Sequence, residues 1–270
     1  MPELPEVEGF KRYFNRTSNN KKIVTVTCKT ASLLKKVSPA QAQKILAGHS
    51  FKTASRRGKF LISPIKNSPY TIVFHFGMTG SLDVAPKNKL SDEDKKYGQL
   101  IFNFSDGTAL VWINKRKFGR VYLVTDINEI KILKTMGPDA LNISQTDFLA
   151  LLDDKKTSVI KTLLMDQSKI AGIGNEYSNE ILYQAGILPQ RKIASLSSPE
   201  RKKIYTTMRK VLKKAIALRT LPSSTNLPNS WLLTHIKVLR DMRCPKNKDH
   251  VLVRKTIGGR SAIYCPIDQK

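Results

Sequence analysis

Cysteine is scarce in this chain, with only Cys28, Cys244 and Cys265 in 270 residues. That number and spacing exclude the disulfide framework of a small secreted fold. Long apolar runs are missing too, none approaching the roughly 20 residues of a membrane-spanning helix. Glu3, Glu6 and Glu8 put acids where a secretory signal carries basic and then apolar residues. Acids are nonetheless in short supply overall, 21 Asp and Glu against 47 Lys and Arg, leaving a formal charge of +26 and a pI near 10.1. So one-sided a surface repels itself until a polyanion or salt offsets it, so nucleic acid is the expected partner and a membrane is not. At 40% hydrophobic residues, the chain can build one large or two modest domains plus a small module. An intracellular monomer, cytoplasmic or on the nucleoid, is expected.

The chemistry is concentrated at the start. In Met1-Pro-Glu-Leu-Pro-Glu-Val-Glu8, removal of Met1 exposes the secondary amine of Pro2 with Glu3, Glu6 and Glu8 close behind. An α-amino group titrates at about 7.7 to 8, so part of it is unprotonated at neutral pH without burial. Such an amine attacks a sugar C1′ and collapses to an iminium, an electron sink for elimination. A neighbouring Glu held protonated donates to the opening sugar. The same residues read equally well as a stiffened terminus with acids at a helix N-terminus.

Further along, Gly9 to Asn15 continues a first helix, Ile23 to Cys28 alternates as a strand, and Ser38 to Ala47 has a cap, an early Pro and a Gly48 stop. Phe60–Ile65, Tyr70–Phe76, Gln99–Phe104, Ala109–Ile113 and Arg120–Val124 read as strands, with Asp106-Gly107 as a hairpin turn and Ala85 to Lys96 as a polar, mobile loop. The second half is helical, with segments expected over 146–152, 157–165, 175–185 and 198–218.

Several strings carry further chemistry. In Ser55-Arg-Arg-Gly-Lys-Phe60, Gly58 lets backbone approach a phosphate beside basic side chains, although a charged strand edge looks the same. In Phe74-His-Phe-Gly-Met-Thr-Gly-Ser-Leu82, a glycine-flanked Met78 suits either core packing or a wedge between bases. Arg116 and Phe118, in Asn114-Lys-Arg-Lys-Phe-Gly119, combine a hydrogen-bonding cation with a stacking ring. Gly172 and Gly174 open onto a helix N-terminus where free amides bind phosphate, and no strand precedes them as a dinucleotide fingerprint requires.

Taken in order, these strings resemble the Fpg/Nei family of DNA glycosylase/AP lyases. The terminus has the PELPEVE form of formamidopyrimidine-DNA glycosylases, with Leu4 where Nei-type members usually carry Gly. The resemblance implies an α+β multidomain fold: an N-terminal β-sandwich, a helix-two-turn-helix domain and a C-terminal β-hairpin zinc-finger-like module, with DNA in the cleft between domains. It makes Pro2 the nucleophile, Glu3 the acid/base, Glu6 a supporting group and Lys59 a phosphate contact near the lesion. Met78, Arg116 and Phe118 fill the space left by an extruded nucleotide, and Asn175 and Arg260 hold the flanking backbone. Asn114 stands where the family carries Asp. Met136 to Leu141 resembles the family's junction segment, giving expected domains of 1–135, 136–235 and 236–270.

Two stretches depart from the pattern. The family's lesion-capping loop opening is not recognisable in the Pro/Ser/Asn stretch Leu218 to Ser230. In the tail, only the first cysteine of each zinc pair is present, and Asn247 and Asp268 occupy the other places. Cys244, His250, Cys265 and Asp268 offer four ligands for zinc at unusual spacing, while a zincless finger is the alternative; a Cys244–Cys265 disulfide is disfavoured in a reducing cell. The expected activity is base-excision repair: removal of oxidised purines such as formamidopyrimidine and 8-oxoguanine through a proline iminium, then β,δ-elimination of the abasic site. A Nei-like enzyme for oxidised pyrimidines and a non-catalytic damaged-DNA-binding protein are the alternatives.

Overall fold

The computed structural model describes residues 1–218, 227–234 and 242–270. They form two compact units, one holding Met1–Thr135 and the other Met136–Leu218 with the described residues from 227 onward. Most of the lesion-capping stretch and the expected boundary at 235/236 lie outside the described residues.

In the first unit, α1 (Leu4–Thr17) opens the chain. Its buried residues Val7, Phe10 and Phe14 recur at three- and four-residue intervals, one face of a helix. The helix starts where it does because Pro5 sits in its first turn and the Glu6 carboxylate accepts from the Glu3 N–H at 2.8 Å. Next come β1 (Ile23–Cys28), β2 (Leu34–Lys35), α2 (Pro39–Leu46), β3 (Ser55–Arg57), β4 (Phe60–Pro64), β5 (Thr71–His75) and β6 (Gly80–Pro86). The unit ends with α3 (Asp92–Tyr97), β7 (Gly98–Phe104), β8 (Thr108–Asn114), β9 (Arg120–Val124) and α4 (Lys131–Lys134). The strands form two sheets, β1-β7-β8-β6 and β2-β9-β5-β4-β3. Side chains of both, including Phe102, Trp112, Phe74 and Leu61, share one core with the apolar face of α1. This is the expected sandwich.

One expectation is corrected. The stretch 85–96 is not a bare loop: β6 runs on to Pro86, and α3 begins at a capping box in which Ser91 Oγ donates to a buried Asp94 carboxylate at 2.6 Å. Its polar composition hid a helix held by its cap rather than by an apolar face.

The second unit contains α5 (Gln145–Asp154), α6 (Ile160–Met165), α7 (Asn175–Ala185), α8 (Ser198–Ala217), β10 (Val253–Ile257) and β11 (Arg260–Tyr264). The last two strands pair as a hairpin closed by Gly258 and Gly259, both at positive φ. Tyr183 of α7 packs in one apolar cluster with Cys244, Leu252, Ile263 and Cys265, so the hairpin has a core only together with that helix. Among the described residues no helix is long and apolar enough to cross a membrane.

Candidate active site and nucleic-acid interface

At the N-terminus, Glu3 is almost fully buried, Pro2 is half-buried and Glu6 faces back onto the Glu3 amide. Lys59 follows Gly58 in the two-residue turn between β3 and β4, and Gly58 has a φ of +54°, which a glycine adopts at little cost. A salt bridge ties this hairpin to α1. Arg56 Nε lies 3.1 Å from Glu8 Oε2, and Arg56 Nη1 donates to the Gly58 carbonyl at 2.9 Å. Burial pushes the Glu8 carboxyl up, but the hydrogen bond and charge of Lys11, with Arg56, outweigh it and hold the group below the usual carboxylate range. Glu8 thus fixes the helix that directly follows Pro2 and Glu3 against the turn carrying Lys59, a part that the sequence alone does not assign to it. Its partner is 48 residues away, so only the Glu-x-x-Lys and Glu-x-x-x-Arg spacing within α1 is visible along the chain.

His75 ends β5 directly opposite Phe60 and Arg120. Burial first, then the charges of Lys59 and Arg120, push its imidazole down to about 4, so it is neutral at physiological pH. A neutral ring beside Lys59 adds a hydrogen-bonding group without adding charge. The methionine-loop string contains this histidine, but nothing in its spacing singles it out.

Met78 and Phe118 are the exposed large apolar side chains of two adjacent loops, 41% and 52% accessible. Glycines make the adjacency possible: a Cβ on Gly77, whose φ is +61°, would sit 2.5 Å from the Gly119 N, and one on Gly119 would meet Asn114 Nδ2 at 2.1 Å. Asn114, fully buried, braces both loops. Its Nδ2 donates to the Phe76 carbonyl at 3.1 Å and its Oδ1 accepts from the Gly119 N–H at 3.4 Å. The Arg116 guanidinium lies 5.0 Å from the Phe118 ring centre, and the Phe76 ring packs 4.4 Å from Phe10 of α1. The structure therefore brings Met78, Arg116 and Phe118 together as a projecting group, and Asn114 supports it in place of an Asp.

In the second unit, the turn before α7 is built around Gln167. Its Nε2 donates to the Met165 and Ile173 carbonyls, and its Oε1 accepts from the Gly172 N–H at 3.0 Å. Lys161 of α6 is completely buried, with Nζ donating to Ser178 Oγ at 2.8 Å and Asn179 Oδ1 at 2.7 Å. These bonds fix the start of α7, where Asn175 is the first residue and its buried Oδ1 has no partner among the described residues. Sequence reasoning misses Lys161; a lone lysine inside the apolar Ile-Lys-Thr-Leu-Leu-Met run is its only signal. Asn175 shares a cavity of about 170 Å³ with Asn179, Leu233 and Ser261, which places it near the hairpin bearing the exposed Arg260. Glu180, buried in α7, accepts from the Leu233 N–H at 2.9 Å and from Gln184; burial raises its carboxyl to about 7.

Three of the finger's four candidate ligands converge, with His250 beside them. The donor atoms of Cys244, Cys265 and Asp268 lie within 4.8 Å of one another. His250 Nδ1 is 3.1 Å from Asp268 Oδ2 and 3.9 Å from Cys265 Sγ. Asn247, at the place of a missing cysteine, lies 3.2 Å from the other ring nitrogen and orients the imidazole. Cys244 Sγ donates to Asp268 Oδ2 at 3.0 Å, and these thiol bonds hold the carboxyl down at about 2. Two buried sulfurs and a carboxylate form a group of three that could hold a metal ion, and the His250 imidazole stands beside it against Asp268.

Comparison with known proteins gives matches along the whole chain. The family described as formamidopyrimidine-DNA glycosylase N-terminal domain matches residues 1–121, and the formamidopyrimidine-DNA glycosylase H2TH domain matches residues 136–226. A formamidopyrimidine-DNA glycosylase of Listeria monocytogenes is 34% identical, with all of both chains covered. One from Arabidopsis thaliana is 30% identical, covering all of this chain and 71% of its own. Among solved structures, Lactococcus lactis Fpg in complex with DNA containing an abasic site superposes with a TM-score of 0.85 at 25% identity, over 99% of each chain.

Proposed function

Because the chain belongs to the formamidopyrimidine-DNA glycosylase family, whose members are bifunctional DNA glycosylases and AP lyases of base-excision repair, we propose that it removes oxidised purines through the amine of Pro2. The observation that carries this reading is the buried Glu3 next to Pro2, directly ahead of a helix pinned by Glu8 and Arg56 to the turn that bears Lys59. Once Met1 is removed, the Pro2 nitrogen attacks C1′ and the damaged base departs with the electrons of the glycosidic bond. Glu3, shielded from bulk water, hands its proton to the opening sugar and takes one back in later steps. The iminium accepts the electrons released when a C2′ proton leaves and the 3′ phosphate is expelled, and loss of a C4′ proton into the resulting conjugated iminium then expels the 5′ phosphate.

Lys59, Asn175 and Arg260 hold phosphates; a guanidinium does so with two parallel bonds. Met78, Arg116 and Phe118 take the place of the extruded nucleotide, which offsets the few kcal/mol of unstacking. Cys244, His250, Cys265 and Asp268 hold zinc, which cross-links the finger and takes no part in the chemistry. Stoichiometric zinc in protein purified without chelator, lost on Cys265→Ser, is the expected result. A panel of duplexes tests the substrate: excision of 8-oxoguanine and formamidopyrimidine ahead of oxidised pyrimidines is predicted, and the reverse order overturns the purine assignment.

A further inference from the structure

We propose that the outer face of α8 is a second DNA-binding surface, which takes the phosphate backbone of a duplex segment other than the one held for repair. Its buried residues Ile204, Met208, Val211, Leu212, Ala215 and Ile216 pack the helix onto α7 and α5. At 100° per residue, Lys202, Lys203, Lys210, Lys213 and Lys214 fall on the opposite side, within an arc of about 120° and a length of about 18 Å. All five are exposed. They lie on the side of α8 turned away from its packed face, with the Lys203 Nζ reaching back to Gly186 at the C-terminal end of α7, whose first residue is Asn175.

An ordinary solvated helix face mixes its charges, and other helices of this chain do so. Glu8 sits among Lys11 and Arg12 in α1, and Asp92 pairs with Lys95 in α3. The only acid of α8 is Glu200, and Arg191 occupies it. None of the five lysines makes an ion pair among the described residues. Lys210 even stands three and four residues from Lys213 and Lys214, spacings at which like charges destabilise a helix by a few tenths of a kcal/mol each. An unrelieved cationic stripe fits a polyanion of matching pitch. An 18 Å length of duplex carries about ten phosphates, and each one neutralised releases counterion. Two DNA-binding faces on one chain let it bridge duplex segments and pass between them without full release. The inference rests on the chain's binding DNA, not on its chemistry.

The test fills the repair site first. Protein bound to a short, bead-tethered duplex carrying an abasic-site analogue is washed, offered a fluorescent undamaged duplex of 40 base pairs at 50 mM salt, and the retained fluorescence is read. The wild type is expected to retain the second duplex and to lose it by 200 mM salt. The K202Q/K203Q/K210Q/K213Q/K214Q variant is expected to retain at least tenfold less while binding the short duplex equally well. Its salt slope for long undamaged DNA is expected to flatten by up to about 4.5, near 0.9 for each phosphate no longer neutralised. Circular dichroism reports whether that variant folds, and K210E/K213E serves in its place if it does not. Retention no higher than protein-free beads, equal retention by a folded variant, or retention of single-stranded RNA in preference to duplex would each overturn the proposal.

Discussion

Replacing Glu8 with Gln probes the link between the fold's framework and the chemistry. The side chains of Arg56 and Glu8 are 7% and 12% accessible, so the ion pair is nearly buried. Breaking a fully buried pair costs about 3 to 5 kcal/mol, because the remaining charge is left uncompensated. Here Arg56 keeps its bond to the Gly58 carbonyl, and Glu8 also faces Lys11 and the exposed Arg12, so about 2 kcal/mol is expected, a fall in Tm of roughly 4 to 8 °C. The pair also sets where Lys59 stands relative to Pro2. A displacement of about 1 Å costs on the order of 100-fold in rate, so single-turnover cleavage of an abasic duplex is expected to slow 10- to 100-fold while DNA affinity changes less than about threefold. The double substitution with Arg56→Met should show coupling of about 1 to 3 kcal/mol. Since the Glu8 carboxyl is held below the usual range, its contribution is present above the ordinary carboxylate pKa and lost as pH falls beneath it. A Glu8→Gln protein with unchanged Tm and unchanged cleavage rate would refute the reasoning.

Three further outcomes follow from the same geometry. Asn114→Asp, which restores the residue typical of the family, is expected to destabilise this chain by about 2 to 3 kcal/mol, because Asp still accepts from Gly119 but cannot donate to the buried Phe76 carbonyl; thermal unfolding checks it. Gly77→Ala puts a Cβ 2.5 Å from backbone atoms of Phe118 and Gly119 at a φ of +61°, and a loss of about 3 kcal/mol or more, or insoluble protein, is predicted. His75 is depressed to about 4 in the folded chain, so the unfolded chain takes up its proton first. Stability should therefore fall by on the order of 3 kcal/mol as pH drops from 6.5 to 4, a slope that His75→Gln removes in denaturant titrations.

Much of this is legible along the chain because it is written in local spacing. Val7, Phe10 and Phe14 mark α1 by period, and Gly172 and Gly174 mark the turn before α7 by composition. The projecting group of Met78, Arg116 and Phe118 is also readable, since each sits in a short string with glycine at its edges. What escapes depends on distant partners. The Arg56–Glu8 pair, the Asn114 brace and the Lys161 bonds to α7 each join segments that sequence order keeps apart, and nothing about one end announces the other. Strand β3 is three residues long and α3 is held by its cap, so neither shows a period. In the finger, His250 and Asp268 are named along the chain as candidate ligands, and folding places His250 against Asp268 and near Cys265.

Borohydride trapping on abasic-site DNA tests the central claim most directly. Protein with Met1 removed is predicted to form a covalent adduct that disappears in Pro2→Gly and in a version bearing one extra N-terminal residue. An adduct that survives a blocked terminus would place the nucleophile elsewhere, and no adduct from correctly processed, DNA-binding protein would contradict the lyase mechanism itself.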